Sequence, residues 1–139
     1  MKALFETTIT NTGGRDGSVS SPDNIFYLDV AKPKALGGET TTASNPEQLF
    51  AAGYSACFNS ALELILDKDE IEYKSSEVIA TVSLYPDKED GGVKLGVKLE
   101  VTIEGVEKEI ADEYAHKAHN YCPYSKAING NVEVEIITK

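Results

Sequence analysis

The sequence predicts an α+β domain, and three observations predict it. The N-terminal third is rich in strand formers. One long apolar segment, "NPEQLFAAGYSACFNSALELIL", occupies residues 45–66. Two alternating stretches then flank a polar turn ahead of a second helical segment and a closing strand. The order β-rich, helix, hairpin, helix, strand, without regular βαβ alternation, is the α+β pattern. At 139 residues the chain has the size of one ordinary domain, residues 1–139, with no visible repeat or linker.

"ALFETTIT" (3–10) alternates imperfectly, "NTGGRDG" (11–17) is a Gly-rich turn, and "IFYLDV" (25–30) is rich in β-formers, with Pro22 and Pro33 outside it. A strand meander fits these features. Residues 32–44, "KPKALGGETTTAS", have turn chemistry and no period, which predicts a loop. A helix start follows, in one of two registers. Ser44 and Glu47 stand at capping-box spacing, while Asn45 as cap with Pro46 in the first helical position competes. From Leu49 to Leu66 apolar residues fall on nearly every face, so burial on all sides is expected.

"SEVIATVSLYP" (76–86) and "VKLGVKLEVTIEG" (93–105) around "DKEDGG" read as a long antiparallel hairpin. In the second strand Val93, Leu95, Val97, Leu99, Val101 and Ile103 alternate with Lys94, Gly96, Lys98, Glu100, Thr102 and Glu104, one dry face and one wet. "VEKEIADEYAHKAHNY" (106–121) has helical spacing at Val106, Ile110, Tyr114 and Ala118, and Pro123 restricts the register just after Cys122. "NVEVEIIT" (131–138) is the last strand.

Thirteen basic and 23 acidic residues give a net charge of −10, which repels a phosphate backbone or an anionic membrane surface. Neither nucleic acid nor membrane is an expected partner. The first twenty residues hold no apolar run of signal-peptide length, and no segment reaches the ~20 apolar residues that span a bilayer. A cytoplasmic location is therefore expected. In that reducing compartment a bond between Cys57 and Cys122 would be transient or catalytic, while two buried inert thiols are the plain alternative.

A thiolate is the nucleophile, and burial raises a thiol's pKa, so a reactive Cys57 needs a fixed cation or a helix N-terminus beside it. Arg15, the only arginine in the sequence, sits in "GGRDG", whose glycines could turn a guanidinium inward; otherwise it is a solvated turn residue. Glu47 could orient that guanidinium through a bidentate pair. Ten residues of straight helix from Glu47 to Cys57 rise about 15 Å, too far for both to grip it. A break at Gly53, with Ser55 capping a second helix whose first turn holds Cys57, would remove the obstacle. Zinc is a weak alternative: His116, His119, Cys122 and Cys57 offer four N and S ligands, but steps of three diverge by about 60° each around a helix. No metal site is assigned.

"NPEQLFAAGYSACF" together with "CPYSKAINGNVEVEI" resembles the organic hydroperoxide resistance branch of the OsmC/Ohr family of thiol peroxidases, over nearly the whole chain. The resemblance implies the OsmC-like fold: antiparallel β-sheets around a buried central helix, in an intertwined homodimer with active sites at the subunit interface. It implies Cys57 as peroxidatic, Cys122 as resolving, and Arg15 with Glu47 as activators. The reaction expected is reduction of organic hydroperoxides to alcohols through a Cys57 sulfenic acid and a Cys57–Cys122 disulfide. Recycling by dihydrolipoyl groups of a lipoylated protein is implied as well, with no bound cofactor. Phe50, Tyr54, Phe58 and Tyr124 are candidate substrate contacts, an apolar lining that would favour alkyl or lipid hydroperoxides; the alternative for them is ordinary core. A peroxidase of broader oxidant range, and a redox-responsive binding protein using the same disulfide, are the competing functions.

Overall fold

The computed structural model describes residues 1–39 and 42–139, so Thr40 and Thr41, inside the predicted 32–44 loop, lie outside the described residues. The chain forms two compact units, Met1–Leu49 and Phe50–Lys139.

The first unit carries a three-stranded antiparallel meander: β1 (Thr10–Thr12), β2 (Gly17–Ser20) and β3 (Tyr27–Val30). Its first strand is shorter than the sequence predicts, and residues 1–9 are exposed. β2, in the polar "GSVS", has no hydrophobic alternation to announce it, and is held by pairing with both neighbours. Lys34–Leu36 forms a short 3-10 turn within the predicted loop. Ser44 bridges Val30, donating its N–H to Asp29 and accepting from Ala31. Ser44 is therefore tied to β3, and the choice of helix cap falls to Asn45, whose side-chain oxygen accepts the Gln48 N–H at 2.8 Å. Pro46 takes the first helical position, where its missing N–H costs nothing.

α1 (Pro46–Lys68) runs without interruption through Gly53. The expected break is absent: the Ser55 hydroxyl donates back to the Ala52 carbonyl at 3.2 Å instead of capping a new helix. α1 is also long and apolar enough, by length and composition, to cross a bilayer, which corrects the sequence expectation that no segment is. Its apolar residues nevertheless have a core to fill. Tyr54, Phe58, Ala61, Leu62 and Leu66 form a buried stripe at helical spacing, while Ala52, Ala56, Ser60 and Leu64 are exposed. Within this chain the helix is thus buried on one face, not on all.

In the second unit β4 (Ser75–Pro86) and β5 (Val93–Glu104) make the predicted hairpin, in register from Ser75↔Glu104 to Pro86↔Val93. The dry face of β5 is buried at Val97, Leu99, Val101 and Ile103, but Val93, at the open turn, is exposed. α2 (Lys108–Tyr121) and a short α3 (Pro123–Ile128) lead to β6 (Glu133–Thr138). β6 pairs with β5 in parallel, so this sheet is mixed where wholly antiparallel sheets were expected. The two helices supply the crossover a parallel pair requires. The core combines the α1 stripe, the inner face of β5, and Ala111, Tyr114, Ala115, Ala118 and Cys122. Each fully buried Leu or Phe stabilises it by roughly 1.5–3 kcal/mol.

Candidate functional site

In the first unit Arg15 stands in the four-residue turn between β1 and β2. The Asn11 side chain ties that turn together, donating to the carbonyls of Gly14 and Ser18 and accepting the Gly14 N–H. Gly13 has φ +87°, and a Cβ there would lie 2.6 Å from the Asp16 carbonyl oxygen, so only glycine closes the turn this tightly. The guanidinium so placed grips Glu47 with both arms, Nη1 to Oε2 at 2.8 Å and Nη2 to Oε1 at 2.6 Å. Glu47 lies in the first turn of α1, where the helix dipole also favours a carboxylate. The hydrogen bonds from Arg15 hold the Glu47 carboxyl below its ordinary pKa, and they raise that of Arg15 in return. With Asn45 as cap, Glu47 is free of any capping-box duty.

The second unit brings both cysteines together, each as a free thiol. Cys57 lies mid-way along α1, partly buried beside the stripe, and Cys122 is fully buried. Cys122 is the joint between two helices, C-cap of α2 and N-cap of α3. Burial pushes the Cys57 thiol up, and the neighbouring Cys122, its hydrogen-bond partner, pushes it the same way. One group opposes them: the Tyr124 backbone N–H, which hydrogen-bonds to Cys57. That N–H is one of the first-turn donors of α3 that no carbonyl within the helix can satisfy. The helix end that serves Cys57 is therefore that of α3, and not a second start within α1.

Phe50, Tyr54 and Phe58, four residues apart on α1, form an aromatic row with Tyr124 of α3 against it. Ring centroids are 6.1 Å apart for Phe50–Tyr54, 6.4 Å for Tyr54–Phe58, 6.3 Å for Phe50–Tyr124 and 5.9 Å for Tyr54–Tyr124. Tyr54 and Phe58 are wholly buried core, whereas Phe50 is partly buried and Tyr124 is exposed. Gly53 has its explanation here. A Cβ on it would come within 2.6 Å of the Tyr124 hydroxyl, so glycine admits that ring to the helix surface.

Sequence reasoning missed Ser125 and the donor at Tyr124. Ser125 is 2% exposed, its Oγ lies 2.6 Å from the Tyr54 hydroxyl, and it also meets His119 Nδ1 at 3.0 Å. The signal was present in "CPYS": proline in a first helical position after a capping residue marks a new helix start.

The OsmC-like protein family model matches residues 37–137. The chain is 55% identical over 136 residues to organic hydroperoxide resistance protein-like 2 of Staphylococcus saprophyticus, covering 98% of this chain and 96% of that protein. Among solved structures, an organic hydroperoxide resistance protein from Legionella pneumophila superposes with a TM-score of 0.94 at 45% identity, covering 99% of both chains. OhrB of Bacillus subtilis gives 0.90 at 45% identity, over 99% of this chain and 100% of that one.

Proposed function

The chain belongs to the OsmC-like family, in its organic hydroperoxide resistance branch, and on that premise we propose that it is a two-cysteine peroxidase for organic hydroperoxides. The observation that carries the reading is the pairing of a partly exposed Cys57 with a buried Cys122 within hydrogen-bonding reach.

In the first step the Cys57 thiolate attacks the terminal oxygen of the hydroperoxide. An S–O bond forms, the O–O bond breaks, and the alkoxide takes a proton and leaves as the alcohol. The Tyr124 N–H, aimed at Cys57, offsets part of the burial that disfavours the thiolate. Arg15 is assigned the activator's role and Glu47 that of holding its planar fork; the support is their bidentate pair together with family membership. In the second step Cys122 attacks the sulfenic sulfur, an S–S bond forms, and the sulfenic oxygen departs as water. Dihydrolipoyl groups of a lipoylated protein then return both thiols by exchange. Phe50 and Tyr124, at the accessible edge of the aromatic row, are assigned to the organic part of the substrate, and Tyr54 and Phe58 to its backing.

A cytoplasmic homodimer completes the proposal. Its support is the exposed Ala52, Ala56, Ser60 and Leu64 face of an otherwise apolar helix. The deciding experiment is turnover of an alkyl hydroperoxide with dihydrolipoamide, beside hydrogen peroxide under the same conditions. Preferential consumption of the organic oxidant supports the reading. Equal rates would favour a broader oxidant range, and a disulfide that forms without turnover would favour a redox-responsive binding protein.

A further inference from the structure

We propose that Ser125 is a positioning residue for the thiol pair: the two hydrogen bonds that meet at its hydroxyl, with Tyr54 of α1 and with His119 of α2, hold the α2–α3 joint at Cys122 in the register that faces Cys57. The proposal rests on the reading of Cys57 and Cys122 as a redox pair and is indifferent to the identity of the oxidant.

The backbone alone leaves that joint weakly fixed. The Cys122 N–H closes α2 on the Ala118 carbonyl at 2.8 Å, and the Cys122 carbonyl accepts the Lys126 N–H at 3.0 Å as α3 begins. Between those two bonds the Cys122 ψ is 127°, far from the helical value of about −42°, so the chain turns a corner on this one residue. Pro123 has no N–H to brace the corner, and the Cys122 side chain makes no capping bond to α3. The apolar contacts of Tyr124 with the aromatic row and of Ile128 with the core press α3 inward, but apolar contact has no direction and does not set a register.

Ser125 supplies the missing direction. It is buried, and its Oγ lies 2.6 Å from the Tyr54 hydroxyl and 3.0 Å from His119 Nδ1. His119 stands three residues before Cys122 and Ser125 three after it, so their bond spans the corner and fixes its angle. The bond to Tyr54 fixes the corner against α1. Tyr54 and Cys57 are three apart on an uninterrupted helix and share one side of it, while Cys122 and Ser125 are the cap and the third residue of α3. Tyr54–Ser125 and Cys57–Cys122 are thus two rungs between the same elements, a turn apart and in antiparallel order. A hydrogen bond at one rung sets the register at the other through helical backbone, and no contact between the phenol and either sulfur is required. A serine hydroxyl can accept twice and donate once, so both of its bonds coexist whichever way the protons point.

The test is the equilibrium between the Cys57–Cys122 dithiol and its disulfide in glutathione buffers at constant pH. Mass spectrometry of the acid-quenched, alkylated full-length protein separates the internal disulfide from glutathione adducts. One oxidised glutathione takes two electrons and two protons from the thiols and leaves as two reduced glutathiones. The equilibrium constant is the effective concentration of one thiol at the other. Tyr54→Phe keeps the ring and removes the bond, and should lower that constant about five- to tenfold, the size of one hydrogen bond, which raises the potential by roughly 20–30 mV. A bond that merely stabilises the fold is equally strong in dithiol and disulfide, so it moves the melting temperature of both and leaves the constant alone. An unchanged constant in Tyr54→Phe therefore overturns the proposal while the two-cysteine reading stands. Ser125→Ala, once shown to be folded by circular dichroism, should lower the constant at least as far, and Tyr54→Phe should add nothing in that background. An equal further loss there would show that Tyr54 acts by another route, and would overturn the proposal too. A wild type that forms no internal disulfide would sink the two-cysteine reading and this proposal with it.

Discussion

The guanidinium of Arg15 and the carboxylate of Glu47 meet as two forks, with paired contacts of 2.8 and 2.6 Å. A planar group with two parallel donors is required for that match, and an ammonium has neither the plane nor the pair. Arg15→Lys is therefore expected to lower kcat/KM for an alkyl hydroperoxide by about ten- to a hundredfold, the value of one or more hydrogen bonds to a charged group. Steady-state kinetics with the folded variant checks it, and near-normal turnover would remove Arg15 from the mechanism.

The same pair sets an acid limit. Arg15 holds the Glu47 carboxyl below its ordinary value. Between the folded and unfolded pKa values the unfolded chain binds more protons, so the contribution is complete above the unfolded pKa of about 4.3 and is lost as pH falls through the folded one. The stability difference between wild type and Glu47→Gln should be constant above about pH 5 and shrink at lower pH. Urea titrations from pH 3 to 7 measure it; a difference that grows on acidification contradicts the assignment.

The proposed mechanism divides the chemistry unequally between the two thiols. Cys57→Ser should abolish peroxide consumption, because an alcohol is hardly ionised at neutral pH. Cys122→Ser should consume one equivalent and stall as a Cys57 sulfenic acid that excess peroxide oxidises further. Single-turnover assays with mass spectrometry distinguish them, and the opposite pattern would exchange the roles.

Gly53→Ala sets two effects against each other. Alanine is the better helix former by about 1 kcal/mol. Its Cβ would sit 2.6 Å from the Tyr124 hydroxyl, the far end of an exposed side chain that can swing outward. The melting temperature is accordingly expected to move little, while kcat/KM for a bulky alkyl hydroperoxide falls severalfold as Tyr124 leaves the Phe50–Tyr54 row. A variant with both properties unchanged would show that Tyr124 does not shape the substrate's path.

Association should follow from the exposed face of α1. Sedimentation analysis is expected to give twice the chain mass, and Ala52→Arg, on a residue outside the core, should shift it toward the single mass. A wild type that is monomeric and active at high dilution contradicts the dimer.

The hairpin, α2 and the closing strand were legible because each carries its own period, two in "VKLGVKLEVTI" and 3.6 in "IADEYAHKA", and α1 was legible from its start signals and unbroken apolar run. What escaped depends on partners remote in sequence. β2 is too short and polar to signal itself, and the parallel pairing of β6 with β5 is fixed by a crossover rather than by any residue of β6. Gly53 invited a break because its reason lies on α3, in the Tyr124 ring. The choice of Asn45 over Ser44 was settled by β3, which engages Ser44 first. At the site, the family motif named Cys57, Cys122, Arg15 and Glu47. Ser125 escaped because its importance is a matter of burial and distance.

The parallel seat of β6 has a consequence for the birth of the protein. β5 emerges from the ribosome with β4 already made, but its other edge receives β6 only after α2 and α3 have been synthesised and have crossed over. Throughout that interval the Gly96–Val101 edge of β5, a strand bearing Val97, Leu99, Val101 and Ile103, presents unpaired N–H and C=O groups to solvent. A chain truncated between Glu104 and Glu133 and released would keep that edge open. Such truncated, released chains are the ones that should aggregate or be taken up by chaperones, whereas chains that reach Thr138 pair β6 with β5 along Gly96–Val101.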